Sequence, residues 1–536
     1  MRRLVCLLSS VLCLLTVGCA KRDAARPTGQ VLRISQRNEP ADLDPATATL
    51  PDEFFIIRAL SEGLLIPNPA GGAPLPAAAE RFEVSADGLT YTFHLRAGAK
   101  WSNGEPVTAA DFVASYRRLL TPATAAPKAN LFYAVKNARA FVAGALADFS
   151  AVGFAAPAAR TLVITLEQPS PRFPYYVASG PWIPVNPRAV AAHGRKWTQP
   201  GNNVGNGPFM LVEWRQQQRI VVKKNPAYHG AADVRLAELH FIRLDNSETE
   251  ERAFRAGQVD VTMDVPKTKI ETYARERPAE LHRAQLAETR YLSFNTQRPP
   301  LSDGRVRRAL SLAIDRQKIV ERVLLGGQEP TSHFLPPALS EGRSLLAGDS
   351  TGAGSSSSPA SRLLPPSPFT AVAEAQQLLS AAGFPGGKGF PRFEITAWSQ
   401  SQVATLEAIQ AMWRQHLGIN VALALRDAKV HLSALAAGNY DIAFVTTLID
   451  VLDAASVLAD FATGAPGNYP HWSDAAFDAA IARADFATAE SRLAEAAPVA
   501  PLYVNTRNFL MSSRVRGWQE DALWSRSYLH VYLEEK

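Results

Sequence analysis

AERFEVSADGLTYTFHLRAGAKWSNGEPVTAADFVASYRRLL, residues 79–120, holds two strands and a capped helix in one uninterrupted run. Residues 81–86 and 89–96 are rich in β-formers and are separated by Asp87-Gly88, a pair suited to a two-residue turn with positive φ. Leu89, Tyr91, Phe93 and Leu95 alternate with Thr90, Thr92, His94 and Arg96, which predicts one buried face and one wet face. Asn103-Gly104 gives a second turn just after Trp101. Thr108 then stands as an N-cap, with Asp111 three residues on to reach back to it and to complement the positive helix end. Phe112, Val113, Tyr116, Leu119 and Leu120 recur at helical spacing and predict one apolar face. The module is a folded β-β-α scaffold with no reactive chemistry of its own.

Working outward, 536 residues can bury a large core and exceed what one domain usually holds. Hydrophobic content of 47% and charged content of 20% are those of an ordinary globular chain. The net charge of +6 is spread over scattered pairs such as Lys223-Lys224 and Arg307-Arg308, a pattern of solvated faces that argues against nucleic-acid binding. Cys6, Cys13 and Cys19 are the only cysteines, so the body has no thiol, no disulfide and no cysteine metal site. Arg2-Arg3 precede an apolar run, Leu4 to Val17, that is too short to span a bilayer. It ends Leu15-Thr16-Val17-Gly18-Cys19, which resembles a bacterial lipobox with Thr16 where Leu is usual; an ordinary signal peptide cleaved elsewhere is the competing reading. We expect residues 1–18 to be a lipoprotein signal peptide, Cys19 to carry the lipid that holds the protein to the membrane, and 19–30 to be a polar tether.

Elements alternate along the rest of the chain. Strands are predicted at Val31–Ser35, Thr161–Glu167, Arg219–Lys224, Phe393–Trp398, Ile419–Leu425, Tyr440–Val445, Pro498–Val504 and Tyr528–Leu533. Helices are predicted at Phe54–Leu65, Glu248–Gly257, from Asp303 through Leu324 to Gly326-Gly327, at Val372–Ala382 and at Leu406–Leu417. Helices alternating with strands argue for an α/β fold. Between residues 348 and 368 the composition collapses to Gly, Ser, Ala and Pro, which predicts a disordered insertion. Gly201, Gly205 and Gly207 lack the GKS or GxGxxG context of a phosphate cradle and read as a tight connection.

The run VSADGLTYTFHLRAGAKWSNGEPVTAADFV closely resembles the signature region of the extracellular solute-binding proteins of family 5, the oligopeptide- and dipeptide-binding receptors of ABC importers. KWTQPGNNVGNGPFMLVEW (196–214) resembles that family's crossover into the first lobe, and RYLSFNTQRPP (290–300) resembles its hinge strand. The resemblance covers nearly all of residues 31–536 and is weakest at 450–495. It implies a two-lobed periplasmic-binding-protein-like α/β fold (class II, three-domain peptide-receptor type) with hinge strands. Lobe I would comprise 31–65, 187–289 and 505–536, an extra domain 66–186, and lobe III 290–504.

No HExxH, GxSxG, CxxC or P-loop spacing is present. The ten histidines are spread singly, with none at helical metal-pair spacing. Glu248, Glu250 and Glu251 read as an exposed helix start. The resemblance implies instead a receptor without cofactor or metal: a monomer that closes two lobes on a peptide and passes it to permease subunits. In DIAFVTTLIDVLDAAS (441–456), Asp450 falls in the register of the family's aspartate that pairs with the ligand's ammonium group. Asp453 is the competing candidate, and a surface or capping role is the plain alternative for both. Thr446, Thr447, Leu448, Thr49, Lys128 and Gln402 complete the expected ligand-binding set. Lys128 stands where the family has a cleft tyrosine and would supply a substitute cation, an exposed lysine being the plain alternative. Leu435 and Phe444 stand where arginines would meet the ligand carboxylate, Gln402 replaces a histidine, and Thr447 and Val451 replace flanking aromatics. A more apolar cleft follows, and with it two alternatives: a receptor for a non-peptide solute, or an interaction or signalling scaffold that has lost its ligand.

Overall fold

The computed structural model describes residues 29–69, 72–340, 368–447 and 449–535. The leader with Cys19, the tether up to residue 28, the 348–367 tract and Leu448 lie outside the described residues. Among the described residues, no helix is long and apolar enough to cross a membrane.

Three principal sheets organise the chain. The first runs in the order Val31–Gln36, Glu238–Arg243, Arg219–Lys224, Phe209–Arg215; its first pair is parallel and the others are antiparallel. The second is antiparallel throughout, in the order Ala79–Val84, Thr90–Leu95, Thr161–Thr165, Phe154–Ala158. The third has six strands in the order Glu329–Pro330, Val499–Leu510, Leu281–Phe294, Ile442–Thr446, Phe393–Ala397, Val421–Leu425. The last three of these pair in parallel, with the helix Gln400–Leu417 as a crossover.

The β-β-α module lies at the heart of the second sheet. Phe82 pairs with Phe93 across the hairpin, and Tyr91, Phe93 and Leu95 are buried as their alternation requires. Thr108 and Asp111 form a reciprocal capping box: Asp111 N–H donates to Thr108 Oγ1 at 3.3 Å, and Thr108 N–H donates to Asp111 Oδ2 at 2.9 Å. The helix Ala109–Leu120 buries Phe112, Tyr116, Leu119 and Leu120 against Trp182, which stacks on Phe132 at 4.0 Å. Each large apolar side chain so buried is worth about 1.5–3 kcal/mol.

The three sheets each have their own buried core, the first two standing together as one body and the third as another. Leu281–Phe294 and Val499–Leu510 join them: Phe509 packs into the core of the first sheet, while Leu292, Phe294, Ala500 and Leu502 pack into that of the third. Their ladder shifts register between Gln285 and Thr289.

Several expected elements take different bounds. The helix expected at Phe54–Leu65 is Pro51–Leu60, because Pro51 suits the first helical position and Leu65 pairs with Pro76 in a short strand. The helix expected to run unbroken from Asp303 to Leu324 stops at Leu312 and restarts at Arg316, then widens to i→i+5 bonding over Ile319–Leu324; Leu325, not the glycines, carries the terminating positive φ. The strand expected at Tyr528–Leu533 is reduced to Tyr532–Leu533, whereas Val499–Leu510 extends six residues past the expected Val504. The exposed start expected for Glu248, Glu250 and Glu251 holds only for Glu248. Glu250 and Glu251 are buried, Glu250 accepting hydrogen bonds from Ser35 Oγ, Met263 N–H and Asp264 N–H and pairing with Arg37.

Candidate functional site

Between the lobes lies a cleft with about 830 Å³ of space not filled by protein, part of it open to solvent. Stretches far apart in sequence line it, Pro67, Asn68, Gly72 and Pro74 among them. The helix Pro51–Leu60 supplies Phe54, Phe55 and Arg58, and is held at its start by Glu53, whose Oε2 accepts from Thr49 N–H and Leu50 N–H. The second-sheet body supplies Lys128, Tyr175 and the backbone of 178–181. The opposite lobe supplies residues 449–452, and the C-terminal region supplies Leu523, Trp524 and Ser525.

The aromatic wall is built from below. Phe55 and Trp524 meet edge to face at 5.3 Å. Asp521 accepts from Leu523 N–H and Ser525 N–H, which fixes the turn that presents Trp524. Behind the wall, the buried Arg526 lies 4.0 Å over the Phe55 ring and Arg507 lies 5.0 Å from the Trp524 ring; both face Glu520. Burial pushes the Arg507 guanidinium down to about 10. Burial likewise lowers Arg58, opposed by the charge of Asp521, and the guanidinium donates a long hydrogen bond, 3.5 Å, to the Ala178 carbonyl.

Two ion pairs join the second-sheet body to the 449–453 loop, the first of them on the cleft lining. Lys128 pairs with Asp450, and Arg172 pairs with Asp453. Lys128 also lies 5.9 Å from the Phe54 ring, and Arg172 lies 4.4 Å over the Phe486 ring of the opposite lobe. Between the two aspartates, Val451 is buried in the core cluster of the second-sheet body. The 449–453 loop is thus one place where the lobes touch.

Of the expected site residues, the structure brings Asp450 and Lys128 together on the cleft lining. Lys128 is half-buried, not simply exposed. Asp453 is buried, caps the helix Ala454–Leu458 through Ala455 N–H, and does not line the cleft. Thr446 donates to Glu288 at 2.5 Å and Thr447 is buried against Thr289, so neither faces the space. Thr49 sits outside the lining, before the Pro51–Leu60 helix, and Gln402 accepts from Trp398 N–H in the interior of its own lobe. Leu448 lies outside the described residues. Leu435 and Phe444 are core residues of that lobe. Sequence reasoning missed Phe54, Phe55, Arg58, Tyr175, Arg172 and Trp524, whose only local signal was aromatic or basic character.

This lining can hold a largely apolar molecule between aromatic faces and orient it by a few charges. No histidine is part of it, and among the described residues no group of three or more His, Cys, Asp or Glu side chains is placed to hold a metal.

The family model for bacterial extracellular solute-binding proteins, family 5 Middle, matches residues 73–469. The chain is 34% identical over 503 residues to the probable deoxycholate-binding periplasmic protein YgiS of Escherichia coli (strain K12), covering 91% of this chain and 90% of that one. It is 32% identical over 530 residues to the periplasmic murein peptide-binding protein MppA of the same organism, covering 94% of each. The solved unliganded open form of the murein tripeptide-binding protein MppA aligns with a TM-score of 0.79 and 31% identity, over 95% of this chain and 99% of that one. The fold is thus the two-lobed one of periplasmic binding proteins. From its sequence and its architecture alike, the chain belongs to the bacterial extracellular solute-binding proteins of family 5.

Proposed function

We propose that this protein is the substrate-binding receptor of a peptide ABC importer, held in the periplasm by lipid on Cys19. It captures a peptide-like ligand between its closing lobes, changes no bond in it, and delivers it as a monomer to the permease subunits. The observation that carries this reading is the cleft itself, lined from both lobes and joined at its rim by side chains of opposite charge. Peptide backbone would be held by hydrogen bonds largely independent of side chains, with Asp450 at the ligand's amino end. Residues 31–65, 187–289 and 505–536 act as the first lobe, 66–186 as its added domain and 290–504 as the second lobe. Mass spectrometry of ligand co-purified with the protein tests this: a peptide is expected, and a sugar or metal alone would refute it. Palmitate labelling of wild type and Cys19→Ser tests the anchor, which requires label on the wild type only.

A second reading is favoured by one feature, the aromatic lining combined with Leu435 and Phe444 in the core: a receptor on the same scaffold for an apolar, non-peptide solute. YgiS, named for deoxycholate, is a relative that fits it. Calorimetry with a mixed peptide pool separates the two, since this reading predicts no heat.

A further inference from the structure

Three charged side chains line the cleft: Arg58, Lys128 and Asp450. The single carboxylate among them is already met by an ammonium of the chain's own, Lys128. Asp521, the nearest carboxylate to Arg58 in electrostatic terms, is buried beneath the lining and committed to the backbone N–H groups of Leu523 and Ser525. Once Lys128 and Asp450 are paired, the lining offers an incoming molecule a surplus of positive charge and an aromatic wall, but no free anion.

We propose that Lys128 occupies the ammonium subsite of this cleft, so that the ligand is one with an apolar body and no positive charge at the end that meets Asp450. Such a ligand is an amino-blocked peptide or an apolar carboxylic acid. The proposal rests on the reading above only in taking Asp450 as the residue at the ligand's amino end. A free ammonium would have to displace Lys128 from Asp450 or sit beside it, leaving the half-buried lysine and a second cation on one solvent-exposed carboxylate. A lysine ammonium carries three donors. One is spent on Asp450, and the others remain for an acyl carbonyl or carboxylate on the ligand. The ring of Phe54, 5.9 Å from Lys128 Nζ, holds that ammonium in place from the other side.

The test is calorimetry on the mature chain with three probes: Ala-Phe-Ala, its N-acetyl twin, and deoxycholate. Each is titrated into wild type, Lys128→Ala and Lys128→Met, the last keeping the apolar stem in case alanine disturbs the fold. Wild type is expected to bind the N-acetyl peptide at least about tenfold more tightly than the free-amine peptide, and both variants to reverse that order. Binding of deoxycholate but of neither peptide removes the peptide-receptor reading; it supports the proposal if both Lys128 variants weaken deoxycholate binding and overturns it if neither does. A free-amine peptide bound as tightly as its acetylated twin overturns the proposal and leaves that reading standing, and so does a ratio unchanged in both variants. Heat from none of the probes in any form overturns both.

Discussion

The Glu250 carboxylate is fully buried, and four groups around it take the place of solvent: Ser35, Arg37 and two backbone N–H groups. Removing the carboxylate strands those donors. Glu250→Ala is therefore expected to lower stability by about 3 kcal/mol, read from the midpoint of urea unfolding. His431 sets a pH dependence. Burial beside Trp398 and Phe444 pushes its imidazole below the ordinary 6.5, against the opposing hydrogen bond to the Phe444 carbonyl, with Arg426 adding to the depression. The folded state thus resists protonation more than the unfolded chain does. The contribution is full above about 6.5 and is lost as pH falls through the lowered folded value. Melting scans from pH 7.5 to 5 should show a smaller loss of Tm in His431→Gln than in wild type. Position by position, the sequence spoke unevenly. The family register, not residue type, pointed to Asp450, which lies on the cleft lining; the residues themselves read Glu250 as wet, because a glutamate at a helix start faces solvent unless another segment is laid over it, as those of Ser35 and Met263 are.

The elements were legible where local signals agreed. The hairpin, the capping box at Thr108 and the helix stop at Gly418, φ +69°, all follow from residue types in their own neighbourhood. Thr108→Ala is expected to cost about 1 kcal/mol, measured by the same unfolding midpoint. The glycines at 205 and 207 do form a connection, and the reason is contact. A Cβ on Gly205 would lie 2.0 Å from the Leu60 carbonyl oxygen, and Gly207 N–H donates to that same oxygen at 2.9 Å. Gly205→Ala must push the 60–63 turn away from its neighbour and is expected to cost about 1–3 kcal/mol, with a matching fall in Tm. The long strand through Val504 to Leu510 was truncated in the sequence reading because Asn505, Thr506, Arg507 and Asn508 do not alternate in polarity. Two of them, Arg507 and Asn508, are buried all the same, paired with Glu520 and bonded to the Gly326 carbonyl.

At the scale of the molecule, the lobes meet through Arg172–Asp453, Lys128–Asp450 and Val451, contacts between residues roughly 300 apart in sequence that no periodicity could reveal. Asp453 is buried while its partner comes from the other lobe, so Arg172→Ala leaves a buried carboxylate whenever the lobes close. The variant is expected to shift the population toward the open form, with a larger radius of gyration in small-angle scattering and affinity lowered about tenfold for whichever ligand the wild type retains. An unchanged scattering curve would mean that closure is held elsewhere. The core of the first sheet is completed from both ends of the chain. Leu32 and Ile34 share it with Val531 and Leu533, and the Gln30 side chain bonds the backbone of Leu533 in both directions. The Gln30–Leu533 clasp spans 503 positions, so cutting away the segment around Leu533 would leave the Val31–Gln36 strand its ladder with Glu238–Arg243 but strip apolar cover from its core side.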